Sequence, residues 1–540
     1  MRIIPKIFFS LALFFLLLII AEIAVRFIWL DLPDHYLSIY KYPIRNSELT
    51  VNTKYEHIPN WRGYATGVKL NFNEDGLRAV SKENYKDKKI ILYSGDSIFF
   101  GYGLKDKFTI TEYLNNQIAA FPEWHHLNNG VCGYNFLQII ESMKFYNHYY
   151  NNIKYNFLSF IHNDLEDLYY IDECDTNVLY PQIKSAYFIE PDKNTFLYRL
   201  MNLLLPDDLT NERYINKVSI RKIFIRYSKL YLAAAMSLKR INLALAASEK
   251  PNIYLFPNLK ISEKLIYQPL YKTVKNLKEY ADKNNIKYSV VLLLDHIIEG
   301  AAVLKIHNIF EQANINFYNL AMFMPDKKEY AQKFILGWDS HFNRHGSFYT
   351  AQLLKKIIDS ENIIIPQNSD FQEIYKKTLS QYLEKNRKYE ERQKTQLLND
   401  LFLSTNYINF DNSFEFEKYF IYGYWRHFPI NNKKMNIKLD GVWTTEFGSI
   451  CFAKSEKINT IKLYFENYNF SDNDTICINN KSVNFWIQQK NNEMILILTP
   501  TEHLEIDNSY FYELYFELTN SFKDDYNRKF GMFIKKIKIE

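Results

Sequence analysis

The chain has 540 residues, 47% of them hydrophobic and 17% aromatic, which is too long for one ordinary domain of roughly 150 residues and too apolar for extended disorder. Its 66 Lys and Arg are nearly balanced by 61 Asp and Glu, for a net charge of +5 without a dense basic block, so the electrostatic footprint of a nucleic-acid binder is missing. Cys132, Cys174, Cys451 and Cys477 lack C-x-x-C or His-flanked spacing, and neither a metal nor a cofactor is called for.

Residues 1–30, "MRIIPKIFFSLALFFLLLIIAEIAVRFIWL", carry Arg2 and Lys6 ahead of an unbroken apolar run from Ile7 to Ala21. Counting on to Leu30 gives roughly the 20 residues that cross a bilayer, with Arg26 able to snorkel. No small-x-small cleavage site follows, so an uncleaved signal anchor is expected, a transmembrane helix with its N-terminus cytoplasmic and everything beyond it periplasmic or on the cell surface. Residues 31–84, with Pro33, Pro43 and Pro59, read as a stem wrapping onto the next domain.

From residue 85 to 362 the texture is α/β. "KKIILYSGD", "HHLNNGVCGY", "KYNFLSFIHND" and "IKYSVVLLLD" are short apolar runs ending in polar residues, as expected of parallel strands buried on both faces, and helical segments lie between them. Residues 185–250 form a helical insertion, expected as a lid over the carboxyl ends of the strands. Residues 363–404 are charged and free of glycine, a linker helix. Residues 405–540 alternate short strands with Asn/Asp turns, which predicts an all-β sandwich of jelly-roll type. Cys451 and Cys477 would pair if they faced each other there in an oxidising compartment; small packed thiols are the other reading. Trp425, Trp443 and Trp486 are either core residues or a sugar-stacking platform.

Only 15 residues are glycine, yet Gly95, Gly101, Gly103, Gly130, Gly133, Gly337 and Gly346 fall in three short stretches, and such clustering marks backbone that must turn tightly or be approached closely. Ser97 lies just past the first strand, at the sheet edge where open α/β folds bind ligands. It is not the G-x-S-x-G elbow, since Ile98 and Phe99 follow it. "NNGVCGYNFLQ" supplies Gly133, and "IHND" supplies Asn163. The Gly133 N–H, the Ser97 N–H and the Asn163 amide form a candidate oxyanion hole. In "GWDSHFNRHGSFYTAQLL", His341 is positioned to take the Ser97 proton with Asp339 orienting its ring. His296 and His345 compete as base, Cys132 reads as a packed residue, and Asp96 and Asp164 read as backbone braces.

These four blocks in this order, together with "NEDGLRA" at 73–79, resemble the SGNH (GDSL) hydrolase superfamily. The resemblance implies a three-layer α/β/α domain with flavodoxin-like strand order, Ser97 as nucleophile, His341 as general base, Asp339 as its partner, and Ser97, Gly133 and Asn163 as the oxyanion hole. It departs from the pattern at Ile161, where glycine is usual, and in the D-x-H spacing, which is shared with the family's polysaccharide O-acetylation branch. The implied activity is that of a membrane-anchored serine esterase or O-acetyltransferase on acylated cell-surface glycan or glycolipid. The competing class is an inactive surface protein that binds glycan or a partner through the β-domain.

Overall fold

The computed structural model describes residues 3–28, 42–46, 53, 55–78, 80–161, 164, 228–231, 233, 259–293, 300–325, 329, 333–336, 341–365, 370–401, 407–409, 420–425, 442–466 and most of 470–540. Most of the 185–250 insertion, and with it the lid expectation, lies outside them. Helix α1 (Ile3–Ile28) is uninterrupted. Its side chains are described from Ala12 to Val25, and among the described residues no helix is long and apolar enough to cross a membrane.

The stem is two small antiparallel ladders, β1 (Ile44–Asn46) with β2 (Tyr55–His57) and β3 (Arg62–Ala65) with β4 (Val68–Asn71). Thr66 and Gly67 between the latter both have positive φ, 49° and 83°, the two-residue hairpin turn whose twist matches its strands. Next, the Asn73 side-chain oxygen accepts the N–H groups of Asp75 and Leu77 at 3.0 and 2.9 Å, and its amide donates to the Tyr85 hydroxyl at 2.8 Å. A single buried Asn thus folds the "NEDGLRA" turn and ties it to the α/β domain.

That domain is built on β5 (Lys89–Gly95), β6 (Trp124–Gly130), β7 (Ile153–Phe160), β8 (Tyr288–Leu292) and β9 (Phe317–Asn319), all parallel and ordered β6-β5-β7-β8-β9. Counted from β5 the order is 2-1-3-4-5, so the chain reverses its direction of travel across the sheet at β5, the switch point where such sheets bind ligands. The alternation of side chains makes three layers. Phe157 and Val291 face a core shared with α6 (Arg344–Ser360), whereas Leu158, Phe160, Val290 and Leu292 face α3 (Phe136–Tyr149), α4 (Gln268–Lys283) and α5 (Ala301–Gln312). Strand β9 is too short to be seen as an apolar run. Tyr375 on α7 (Phe371–Leu401) covers it, its hydroxyl accepting from Asn319 N–H at 2.8 Å and donating to the Phe317 carbonyl at 3.1 Å.

The C-terminal region is β-rich: eleven of its described strands join in one sheet, and Phe522–Lys523 pairs with Lys529–Phe530 in a separate two-stranded ladder. Strands Val442–Lys454 and Ser509–Glu517 send Ile450, Phe452, Tyr512, Leu514 and Phe516 into the region's own core and Cys451, Ala453, Phe511 and Tyr515 into the core of the α/β domain. Both faces are therefore buried, and the two regions share one apolar contact. Buried Glu513 reinforces it by accepting the Lys260 N–H at 2.9 Å and the Ser449 hydroxyl at 3.1 Å. Cys451 and Cys477 are free buried thiols. They pair with Glu513 and Tyr515 on opposite sides of Ser509–Glu517, which separates their backbones by about two strand spacings, roughly 9–10 Å, beyond disulfide reach. Trp425 and Trp443 are in register with each other, while Trp486 is 51% exposed on strand Phe485–Lys490, four strands along the sheet from Trp443.

Burial holds four histidines neutral, with pKa values lowered to about 3 for His57 and His126 and about 4 for His125 and His307. Below an unfolded value near 6.5 the unfolded chain takes up protons that the folded chain refuses, so stability falls with pH between about 6.5 and 4, by about 1.4 kcal/mol per histidine per unit. The melting temperature should drop clearly between pH 7 and pH 5 in circular dichroism melts; an unchanged value would contradict this.

Candidate active site

Strand β5 ends at Gly95, and the chain turns at once into α2 (Ser97–Phe100), capped by the Asp96 carboxylate, which accepts the Ile98 N–H at 3.0 Å. So short a helix leaves its end carbonyls without backbone donors. Arg78 supplies donors just at and beyond that end: its buried guanidinium, which also bridges to Asp106 at 2.9 Å, donates to the carbonyls of Phe100 and Gly101 at 2.8 Å each and to that of Leu104. The Arg of "NEDGLRA" therefore clamps the turn that presents Ser97.

Block two is sewn to the same turn. Asn128 donates to the Phe99 carbonyl at 2.8 Å, and Val131 N–H donates to the Gly95 carbonyl at 2.9 Å. Gly130 permits this approach, because a Cβ there would lie 2.1 Å from the Phe100 nitrogen. Gly133 has φ +79°, left-handed backbone that favours glycine. The Tyr55 hydroxyl, reaching in from β2, donates to the Cys132 carbonyl at 3.0 Å. A trans peptide points its C=O and N–H in opposite directions, so this bond turns the Gly133 N–H away from the stem. Among the described residues that N–H has no acceptor. Cys132 itself is a packed residue.

In block three the Asp164 carboxylate accepts the Ile161 N–H at 2.7 Å, bracing the turn. Asn163 lies outside the described residues, as do Asp339 and His296. Block four is held by Asn343, which caps α6 by accepting the N–H groups of His345 and Gly346 at 2.8 and 3.0 Å while its amide donates to the carbonyls of Lys333 and Ile335. Leu336 N–H donates to the His341 carbonyl at 2.8 Å.

These restraints bring together residues 244 positions apart. The His341 Nε2 lies 2.7 Å from the Ser97 Oγ, and the Tyr102 ring stacks on the imidazole at 4.3 Å. His345 is exposed on the first turn of α6. Ser97 is 9% exposed, and its hydroxyl also donates to the Asp96 carboxylate at 2.9 Å. One hydroxyl proton serves one acceptor at a time. When His341 is protonated, Nε2–H donates to Oγ and Oγ donates to Asp96; when it is neutral, Nε2 can accept the hydroxyl proton, as activation of a serine requires. Burial pushes the Asp96 carboxyl above its ordinary value, opposed by the Ile98 N–H and the charge of His341. The sequence pointed to Ser97, Gly133 and His341 but missed the parts played by Tyr55, Arg78 and Tyr102. Of these, only Arg78 stands in a motif that could have flagged it.

No family model and no curated protein matches the sequence. Among solved structures the chain is similar to G-D-S-L family proteins described as lipolytic. One is from Desulfitobacterium hafniense DCB-2, 9% identical over 50% of this chain and 99% of that one, with TM-score 0.27. Another is from Veillonella parvula DSM 2008, 14% identical over 50% of this chain and 95% of that one, with TM-score 0.18.

Removing the guanidinium leaves buried carbonyls without donors, so Arg78→Ala should cost roughly 3 kcal/mol in urea unfolding, and Arg78→Lys should recover only part of it, because an ammonium lacks the planar fork. Wild-type stability in Arg78→Lys would contradict the clamp.

Proposed function

We propose that the chain is an extracytoplasmic serine ester hydrolase, held at a membrane by α1, in which Ser97 is the nucleophile and His341 the general base. The observation that carries the reading is the 2.7 Å contact between Ser97 Oγ and His341 Nε2 on the switch point of a parallel sheet. His341 takes the hydroxyl proton as Oγ attacks the ester carbonyl, and the developing oxyanion rests on the Gly133 N–H with the Ser97 N–H and the Asn163 amide. As the tetrahedral adduct collapses, His341 returns the proton to the leaving alcohol and the acyl group stays on Ser97. Water, or a sugar hydroxyl in the transferase version of the same chemistry, then attacks with His341 again as base. Asp339 orients the ring. The acyl group, acetyl foremost, and a cell-surface glycan or glycolipid as its carrier are drawn from the family resemblance. Membrane attachment is supported by the apolar side chains that α1 exposes from Leu13 to Ile20. A second reading, an inactive glycan binder, draws on exposed Trp486; it expects glycan binding that survives Ser97→Ala and is lost in Trp486→Ala.

The full chain should hydrolyse a nitrophenyl acetate, with Ser97→Ala and His341→Ala each lowering kcat/KM by about 10³-fold or more. The rate should rise with pH through one ionisation as the base loses its proton, and Asp339→Asn should shift that midpoint downward, because it removes the charge that favours imidazolium. Retained activity in His341→Ala, or a profile that only His345→Ala flattens, would overturn the assignment.

A further inference from the structure

The end of α1 and the catalytic face are one packed unit. Side chains of α1 are exposed from Ala12 to Ile20 and partly covered from Ala21 on, apart from Ile23. At that boundary the Glu22 carboxylate accepts the Ser228 hydroxyl and the N–H groups of Lys229 and Leu230 at 2.8–2.9 Å, a cap on the helical turn that follows. One turn on, Val25 packs with Tyr42, Trp61 and Tyr231 against a core containing Phe100, Tyr102, Cys132 and Leu336. Each of those four adjoins the chemistry. Phe100 ends the nucleophile helix, Cys132 precedes Gly133, Leu336 donates to the backbone of His341, and Tyr102 stacks on its ring. Tyr42 in turn lies 6.2 Å from Tyr102.

That boundary sets the height of the site. The large apolar side chains that α1 exposes, Leu13 to Ile20, end just before the residues that pack on the catalytic face. A membrane that takes up those side chains therefore meets the attached face at headgroup level, the level that Tyr and Trp side chains favour, and this face carries Tyr42, Trp61 and Tyr231.

Building on the anchored-esterase reading, we infer that the substrate is a membrane-resident amphiphile whose acyl ester sits on a short polar headgroup in the same leaflet. A long soluble glycan would have to thread its ester down to this level, whereas a headgroup one or two sugars long reaches it directly.

The test reconstitutes the full chain in phosphatidylcholine and phosphatidylglycerol vesicles. The probe is a diacylglycerol glucoside acetylated on its sugar, placed either in the same vesicles or in separate ones, with soluble nitrophenyl acetate as control. Acetate release should be at least tenfold faster when enzyme and probe share vesicles, with the control rate equal in both arrangements. Equal release from shared and separate vesicles would overturn the inference while leaving the esterase reading intact. Absence of nitrophenyl acetate turnover would instead remove the esterase reading, and placement is then judged by fluorescence. Lipids brominated near the glycerol should quench the wild type more than Trp61→Phe, and equal quenching of the two overturns the placement as well.

Discussion

A four-residue helix at the end of a buried strand leaves its last carbonyls without backbone donors, and two buried side chains fill them: Asn128 bonds that of Phe99 and Arg78 that of Phe100. Arg78 bonds the carbonyls of Phe100, Gly101 and Leu104, and everything that meets Ser97 is measured from the turn it holds. Block two reaches that turn through Asn128 and Val131, and Tyr102, whose N–H bonds the Ser97 carbonyl at 3.0 Å, brings an aromatic face to His341. The cost of burying a charged group falls when its hydrogen bonds are filled, and here backbone oxygens and Asp106 fill them.

The same logic makes the stem part of the α/β domain. Tyr55 donates to the Cys132 carbonyl, Tyr134 donates to the Tyr55 carbonyl at 2.5 Å, and Gln138 donates to the Thr53 carbonyl at 3.0 Å. A segment that looks like a spacer thus decides which way the Gly133 peptide faces. At the other end, the C-terminal sheet is joined to the α/β domain by a shared core, an arrangement suited to holding a surface at a set angle to the site.

Parts of this were open to reading because their cause is local. Strands β5 to β8 are buried on both faces, so they appear as continuous apolar runs, and Ser97 is visible as the polar break at the end of one of them. The alternation along 442–454 and 509–517 is equally plain, but its partner surface is not, and so Cys451 and Cys477 looked able to meet although the strand between them keeps them apart. Tyr55 and Tyr102 were hidden for a related reason. One acts 77 residues from its own position, the other across more than two hundred, and neither contact has a local periodicity to betray it. Strand β9 was hidden by being three residues long. Asp339 and Asn163, inferred from motif order, fall outside the described residues.

The central claim is that the contact between Ser97 and His341 makes a nucleophile of an otherwise ordinary serine. Intact-mass measurement after treatment with a fluorophosphonate tests it most directly, because the probe bonds only to an activated hydroxyl. The account predicts one adduct on the wild-type chain, mapped to Ser97, none on Ser97→Ala, and strongly slowed labelling of His341→Ala. An unmodified wild type, or equal labelling of Ser97→Ala, would contradict it.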